Sequence, residues 1–281
     1  MGTRPTSTYR ELAPPPELAD YVDCLWVQEI GDGDVPYEQP VLPDGAMDIV
    51  LLGGELVVSG ADTGPEVLTV EPGSTTVGIR FRPGAAVPLL GTSAADLRDI
   101  DVPLDALWGR EGARLTEQVT AGDDGAGNGS GWRAPLGVLV DALIRRRRDA
   151  PAVDPAATGV AALLARQPAV PLPRLADRAG LSERQLRRRV EEAVGYPPRT
   201  LARILRFQRF LQVWRAAPPG RRELAILAAE TGYADQAHLT REVRRLAGLP
   251  PKALLSWEAD RLTPSDGQPP SERQHVAYRK G

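Results

Sequence analysis

One short unit occurs twice in this chain. The stretch GLSERQLRRRVEEAVGYPP, from Gly180 to Pro198, returns as GYADQAHLTREVRRLAGLPP, from Gly232 to Pro251. Leu186 corresponds to Leu239, Val190 to Val243, Gly195 to Gly248 and Pro197-Pro198 to Pro250-Pro251, all at an offset of 53. The opening glycines are offset by 52, so the second copy carries one extra residue. A sequence that repeats an apolar spacing between the same stop signals must build the same supersecondary unit twice.

In the first copy, LPRLADRAG reads as a short amphipathic helix stopped at Gly180. Ser182 stands as an N-cap with Gln185 three residues on, the pattern of a capping box. The next helix is expected to run to about Val194 and to bury Leu186, Val190 and Ala193. At ~100° per residue, Arg184, Arg187, Arg188 and Glu191 fall on the opposite side. Two short helices joined by a tight glycine turn, the second presenting arginines, describe a helix-turn-helix. The second copy follows the same logic. LAILAAETG matches LPRLADRAG, with Leu227-Ala228 where the first has Leu175-Ala176. Its second helix buries Leu239, Val243 and Leu246 and exposes Ala237, Thr240, Arg241 and Arg244, with Gln236 and His238 near its start. A recognition helix meets base edges with its N-terminal residues. Arg matches the guanine edge, Gln the adenine edge, and Ala or Thr the thymine methyl. The competing reading is a pair of helical hairpins that bind protein through solvated arginine faces.

Between the copies, PRTLARILRFQRFLQVWRAA reads as one long helix with Leu201, Ile204, Leu205, Leu211 and Trp214 on its buried side. Some 17 helical residues at ~1.5 Å each span ~25 Å. That suits a strut between recognition helices in successive major-groove segments ~34 Å apart.

Charge divides the chain in the same sense. Residues 1–132 hold 7 Arg and 22 Asp or Glu, a net of −15, while residues 133–281 carry +12. Such asymmetry suggests that one half faces a polyanion, here double-stranded DNA, and the other does something else. With 42% hydrophobic residues the chain holds a sizeable core. No apolar run approaches the ~20 residues of a membrane span, and the first residues lack the apolar core of a signal peptide. A cytoplasmic location is expected. The single cysteine, Cys24, excludes an internal disulfide framework and a cysteine-based zinc site, and reads as a small buried hydrophobe.

The first half reads as a small β-rich domain followed by helices. CLWVQE, AMDIVLL, ELVVSG and TTVGIRF are short, rich in Val and Ile, and bounded by turn residues. Gly53-Gly54 is a two-residue hairpin signal, and Pro43-Asp44-Gly45 a turn before a strand. Residues 1–132 contain no His, which disfavours a His-ligated metal and any Ser–His or Cys–His nucleophile. No catalytic residue, metal or cofactor is expected. Trp26 and Trp108 either line a ligand pocket or pack in the core. Arg80 and Arg82, projecting from the same face of a strand, either bind an anionic ligand or pair with nearby Asp and Glu. With Asp44 these are the candidate effector-binding residues. The Gly-rich stretch Ala121 to Gly131 reads as a flexible linker. Trp132 to Arg148 reads as a helix with Leu136, Leu139, Val140, Leu143 and Ile144 on one stripe, closing the first domain or pairing with its copy in a homodimer. The run Arg145 to Arg148 is either solvated or a phosphate contact.

The expected class is α+β: a β-rich domain over 1–148, cupin-like barrel or sandwich, an all-α domain of two helix-turn-helix motifs over 149–258, and a disordered tail over 259–281. Residues from about Pro155 to Trp257 resemble the DNA-binding domain of the AraC/XylS family of transcriptional regulators, most specifically in GYADQAHLTREVRRLAGLPPKAL. The first motif departs from that pattern at Val190, where an aromatic is usual, and at Glu191, where a basic residue is common. By resemblance the base-facing positions are Arg184, Arg187 and Arg188, then Gln236, Ala237, His238, Thr240 and Arg241. RNA polymerase is implied as a partner. VLPDGAMDIVLL, GIRFRPGAA and VPLDALWG resemble an uncharacterised sensor-like domain that precedes this DNA-binding domain in many actinobacterial regulators. The wider family's leading domain is often a cupin-like barrel that binds a small effector or dimerises. The repair regulators with a zinc-held methyl-acceptor cysteine need several cysteines, so one cysteine rules them out. The implied protein is a regulator and not an enzyme. The alternative is an enzymatic or protein-binding domain tethered to a DNA-binding one.

Overall fold

The computed structural model describes residues 5–121, 131–218, 222–262 and 276–277. Nine strands occur there: β1 (Ser7–Ala13), β2 (Val22–Ile30), β3 (Tyr37–Val41), β4 (Asp48–Leu52), β5 (Glu55–Ser59), β6 (Glu66–Val70), β7 (Thr75–Phe81), β8 (Asp101–Pro103) and β9 (Val276–Ala277). Seven form one sheet in the order β8-β5-β4-β7-β2-β1-β9, and β3 pairs with β6 in a separate ribbon. All pairings are antiparallel except β1 with β9. The Gly53-Gly54 turn joins β4 to β5 with positive φ at both residues, 58° and 84°, the conformation a two-residue hairpin demands.

Strand alternation gives the large sheet two different faces. Leu25 stands opposite Ile79, and Ile79 opposite Ile49. All three are fully buried. Burying each such side chain contributes about 1.5–3 kcal/mol, so this face is committed to the core. Helices α1 (Val87–Leu90), α2 (Leu104–Trp108), α3 (Arg110–Ala121) and α4 (Arg133–Arg147) complete the domain, with α2 and α3 against β5 and α4 against β7. The other face carries Glu11, Trp26, Gly78 and Val50 in one row and Cys24, Arg80, Asp48 and Ser59 in the next. Gly78 makes room for an indole: a Cβ there would stand 2.3 Å from the Trp26 ring.

Helix α4 closes its own domain. Leu136, Leu139, Val140 and Leu143 are buried in the core, so the stripe is not free to pair with a second copy. Within the arginine run, Arg146 is structural. Its guanidinium lies 4.3 Å from the Trp108 ring centre, its Nε donates to Leu89 O at 2.6 Å, and its Nη1 to Glu111 at 2.7 Å. Arg145, Arg147 and Arg148 are exposed.

The helical domain comprises α5 (Pro155–Arg166), α6 (Leu172–Ala179), α7 (Glu183–Val194), α8 (Pro198–Ala216), α9 (Leu224–Glu230), α10 (Gln236–Ala247) and α11 (Pro251–Leu262). One hydrophobic core runs through both domains. Helix α11 passes the expected boundary at 258. From residue 263 the expected disordered tail lies outside the described residues, apart from β9, and so does the expected linker over 122–130. Among the described residues no helix is long and apolar enough to cross a membrane.

Candidate nucleic-acid interface

The two copies share the same turn bonds and buried positions and differ in how the second helix is capped. The Leu181 N–H donates to Ala176 O and the Tyr233 N–H to Ala228 O, at 3.0 and 2.9 Å, closing equivalent turns at the ends of α6 and α9. The first copy then caps α7 with Ser182, whose hydroxyl and the Gln185 side chain form the expected capping box. The second inserts Ala234 and caps α10 with Asp235, which accepts from the His238 N–H at 2.6 Å. Ala234 is the extra residue that moves the offset from 52 to 53. Helix α7 buries Leu186, Val190, Ala193 and Val194, and α10 buries Leu239, Val243, Leu246 and Ala247 at corresponding positions.

The outward faces keep most of the expected residues, but Thr240, expected to be exposed, is half-buried. Arg184, Arg187 and Arg188 are exposed on α7, as are Gln236, Ala237 and Arg241 on α10. His238 and Thr240 are half-buried. The His238 Nδ1 accepts from the Ala234 N–H, its ring meets Tyr233 edge-on at 5.3 Å, and the Thr240 hydroxyl donates to Gln236 O at 2.8 Å. A cleft of about 570 Å³ opens at the start of α10 between Gln236, Arg222 and Lys252. Arg222 and Lys252 carry no periodic signal in the sequence, so their place beside Gln236 was not legible there.

Helix α8 ties the units together. Phe207 and Phe210, both fully buried, join the apolar side expected from the sequence. Its arginines reach outward in turn. Arg203 bridges Glu242 of α10 at 2.6 Å, Arg206 donates to Pro168 O at 3.4 Å, and Arg209 donates to Arg166 O at 3.1 Å. At ~1.5 Å per residue this 19-residue helix is ~28 Å long, close to one turn of DNA.

The N-terminal domain docks on this assembly. Ser93 Oγ donates to Glu192 O at 3.2 Å, and Arg98 Nη1 lies 3.3 Å from Gly195 O and 3.7 Å from the Glu191 carboxylate. Gln208 Nε2 donates to Pro43 O at 2.7 Å. A cleft of about 790 Å³ separates Ser93 and Ala95 from Arg184, Arg187 and Arg188.

Of the candidate effector residues, three come together. Trp26 Nε1 donates to Asp48 at 2.7 Å, and Arg80 Nε lies 3.3 Å from Asp48 and 3.6 Å from Asp44. Burial raises the Asp48 pKa and the Asp44 charge adds to this, while Arg80 and the Trp26 N–H oppose it. Burial alone would lower the Arg80 pKa, but Asp48 and Asp44 hold it well above its usual value. The buried Cys24 thiol is pushed up to about 12 by burial, the state of an inert thiol. Arg82 does not join this group: β7 ends at Phe81, and Arg82 turns away to Ala19 O at 2.8 Å and towards Asp23. Trp108 sits in the helix-covered core.

Two capped helix-turn-helix units on one strut, each presenting arginines, define a DNA-binding helix-turn-helix protein. Residues 175–256 match the family model described as a Helix-turn-helix domain, and residues 10–103 match a Domain of unknown function (DUF6597). No curated protein matches the chain. Among solved structures it is similar to ToxT from Vibrio cholerae O395, at 8% identity over 90% of this chain and 97% of that one, with a TM-score of 0.42. Unsaturated fatty acid bound wild-type ToxT from Vibrio cholerae strain SCE256 is similar at 10% identity over 90% and 95%, with a TM-score of 0.40. The chain thus carries a helix-turn-helix domain over residues 175–256 and a DUF6597 domain in front of it, over residues 10–103.

Proposed function

We propose that this regulator binds a specific DNA site through both helix-turn-helix units and that its N-terminal domain controls the binding. The contact of Arg98 with Glu191 and Gly195 carries the reading. Residues 184, 188, 191 and 195 follow one another on a single helical stripe. Arg98 therefore occupies the end of the stripe whose beginning, Arg184 and Arg188, meets DNA. Glu191, unusual at a position where the family often has a base, is the partner of that contact. The exposed Asp96, Asp99 and Asp101 stand beside it and repel phosphates. The proposed signal is a small effector whose candidate site is the Trp26, Asp44 and Arg80 group, where Arg80 is already paired with Asp48 and Asp44 and the neighbouring Gly45 turn abuts α8. Effector control is favoured over dimerisation through α4, whose apolar stripe is used within its own domain.

The test is Arg98→Ala in the full chain, assayed on a duplex that the wild type selects from a random pool. Loss of an exposed ion pair is worth up to about 1 kcal/mol, so affinity should rise by up to about fivefold. Arg114→Ala, which removes an equal charge from exposed α3, should leave it unchanged. Equal affinity for Arg98→Ala and wild type would show that the docked domain does not restrain the first unit.

A further inference from the structure

Ala61 and Pro65 belong to the loop between β5 and β6. A Cβ on Gly195 would stand 2.6 Å from Ala61 Cβ and 3.0 Å from Ala94 O, so the first recognition helix ends directly against this loop. A Cβ on Gly248 would stand 3.3 Å from Pro65 Cγ. Gly195 and Gly248 are the same position in the two copies, and each is the left-handed C-cap of its recognition helix. One short segment of the N-terminal domain thus touches both recognition helices at their matching ends.

The loop is braced. Gly60 is packed so tightly that a Cβ would meet Leu97 O at 2.0 Å. The Thr63 N–H and hydroxyl both donate to Asp99, at 2.6 and 2.9 Å. Asp99 has a φ of 58°, a left-handed conformation found at no other non-glycine among the described residues. Such a conformation costs free energy and persists only where surrounding contacts hold it. Here those contacts are the bonds that stiffen the loop. Helix α10 is held by its buried face of Leu239, Val243, Leu246 and Ala247 and by the Arg203–Glu242 bridge to α8, all within the helical domain. The loop adds a contact from the other domain, at the Gly248 end of α10.

We propose that residues 60–65 are a spacer which fixes the separation of the two recognition helices and so decides which spacing between the two halves of a DNA site the protein accepts. The inference rests on DNA binding by both units. The test uses the full chain and the Pro65→Gly and Asp99→Gly variants. Asp99→Gly permits the same backbone while removing both bonds to Thr63, and Pro65→Gly removes an exposed contact without disturbing the core. The probe is a duplex selected by the wild type from a random pool, together with derivatives in which one base pair is added or removed between the two protected segments. The wild type should lose about tenfold or more in affinity on either change, the scale of one or two mismatched contacts. Both variants should cut that penalty by about threefold or more, and Pro65→Gly, which changes no charge, should hold the parent duplex within about twofold. A penalty unchanged in folded Pro65→Gly overturns the spacer, whatever Asp99→Gly does to folding. If the wild type selects no duplex, DNA binding itself fails and the spacer with it.

Discussion

Arg203 and Glu242 form a two-pronged bridge between the strut and the second recognition helix. Nε donates at 2.6 Å and Nη2 at 3.2 Å, and both side chains are about four-fifths buried. The planar guanidinium fork fits the carboxylate in one orientation, so the pair sets the rotation of α10 as well as its distance from α8.

Arg203→Ala leaves Glu242 with its charge unmatched in a largely closed site. The expected cost is about 1–3 kcal/mol, between the values for exposed and buried pairs. Denaturant melts should show it, with a comparable loss for Glu242→Ala and little further loss in the double variant. Additive losses would mean that the two residues act separately. Arg203→Lys should not restore the wild-type value, because a point charge cannot replace the fork.

Base reading should separate from phosphate contact. Arg241→Ala and Arg188→Ala are each expected to weaken the selected site by about 1–3 kcal/mol and to relax preference at one position. Arg145→Ala, exposed at the end of α4, should weaken all sequences alike or not at all. Competition assays with single base changes would decide this. Intact preference in Arg241→Ala would mean that α10 docks with a different face.

Asp62 gives the fold a pH dependence. It is half-buried beside the joint between the domains, and burial together with Glu66, Asp101, Asp99 and Asp44 raises its carboxyl to about 7. The folded chain therefore holds this proton more tightly than the unfolded chain, where an Asp titrates near ~3.9. Stability from this group is fully present below pH ~4 and is lost as pH rises to about 7. Asp62→Asn should flatten the fall in Tm over that window and raise Tm at pH 8 by a few degrees (~2–4 °C). Parallel Tm curves for the two proteins would show that Asp62 does not titrate in this range.

The repeated unit was open to reading because its signals are local. Glycine stops, the Ser182 capping box and the spacing of Leu186 and Val190 all lie within one or two turns of chain. The Gly53-Gly54 hairpin was legible for the same reason. Strands β1, β3, β6 and β8 were not. Arg10 and Glu11 in β1, Pro40 in β3 and the exposed Val67 in β6 break the apolar alternation that marks a strand. Arg80 and Arg82 look equivalent by alternation, yet the strand ends between them. The contacts of Arg98 with Glu191 and Arg146 with Trp108 join residues far apart in sequence, where composition and periodicity say nothing. The sequence showed Glu191 as a departure from a family pattern, and only the docked domain supplied its partner.

Binding of the full chain to its selected duplex across a range of salt concentrations tests the central claim most directly. Arginines on two recognition helices displace condensed counterions, and each neutralised phosphate adds ~0.9 to the slope of log K against log salt. A straight line falling by several such increments is expected, shallower in Arg188→Ala and Arg241→Ala if those residues also touch phosphates. An affinity flat in salt, or no binding at the lowest salt, would contradict the account.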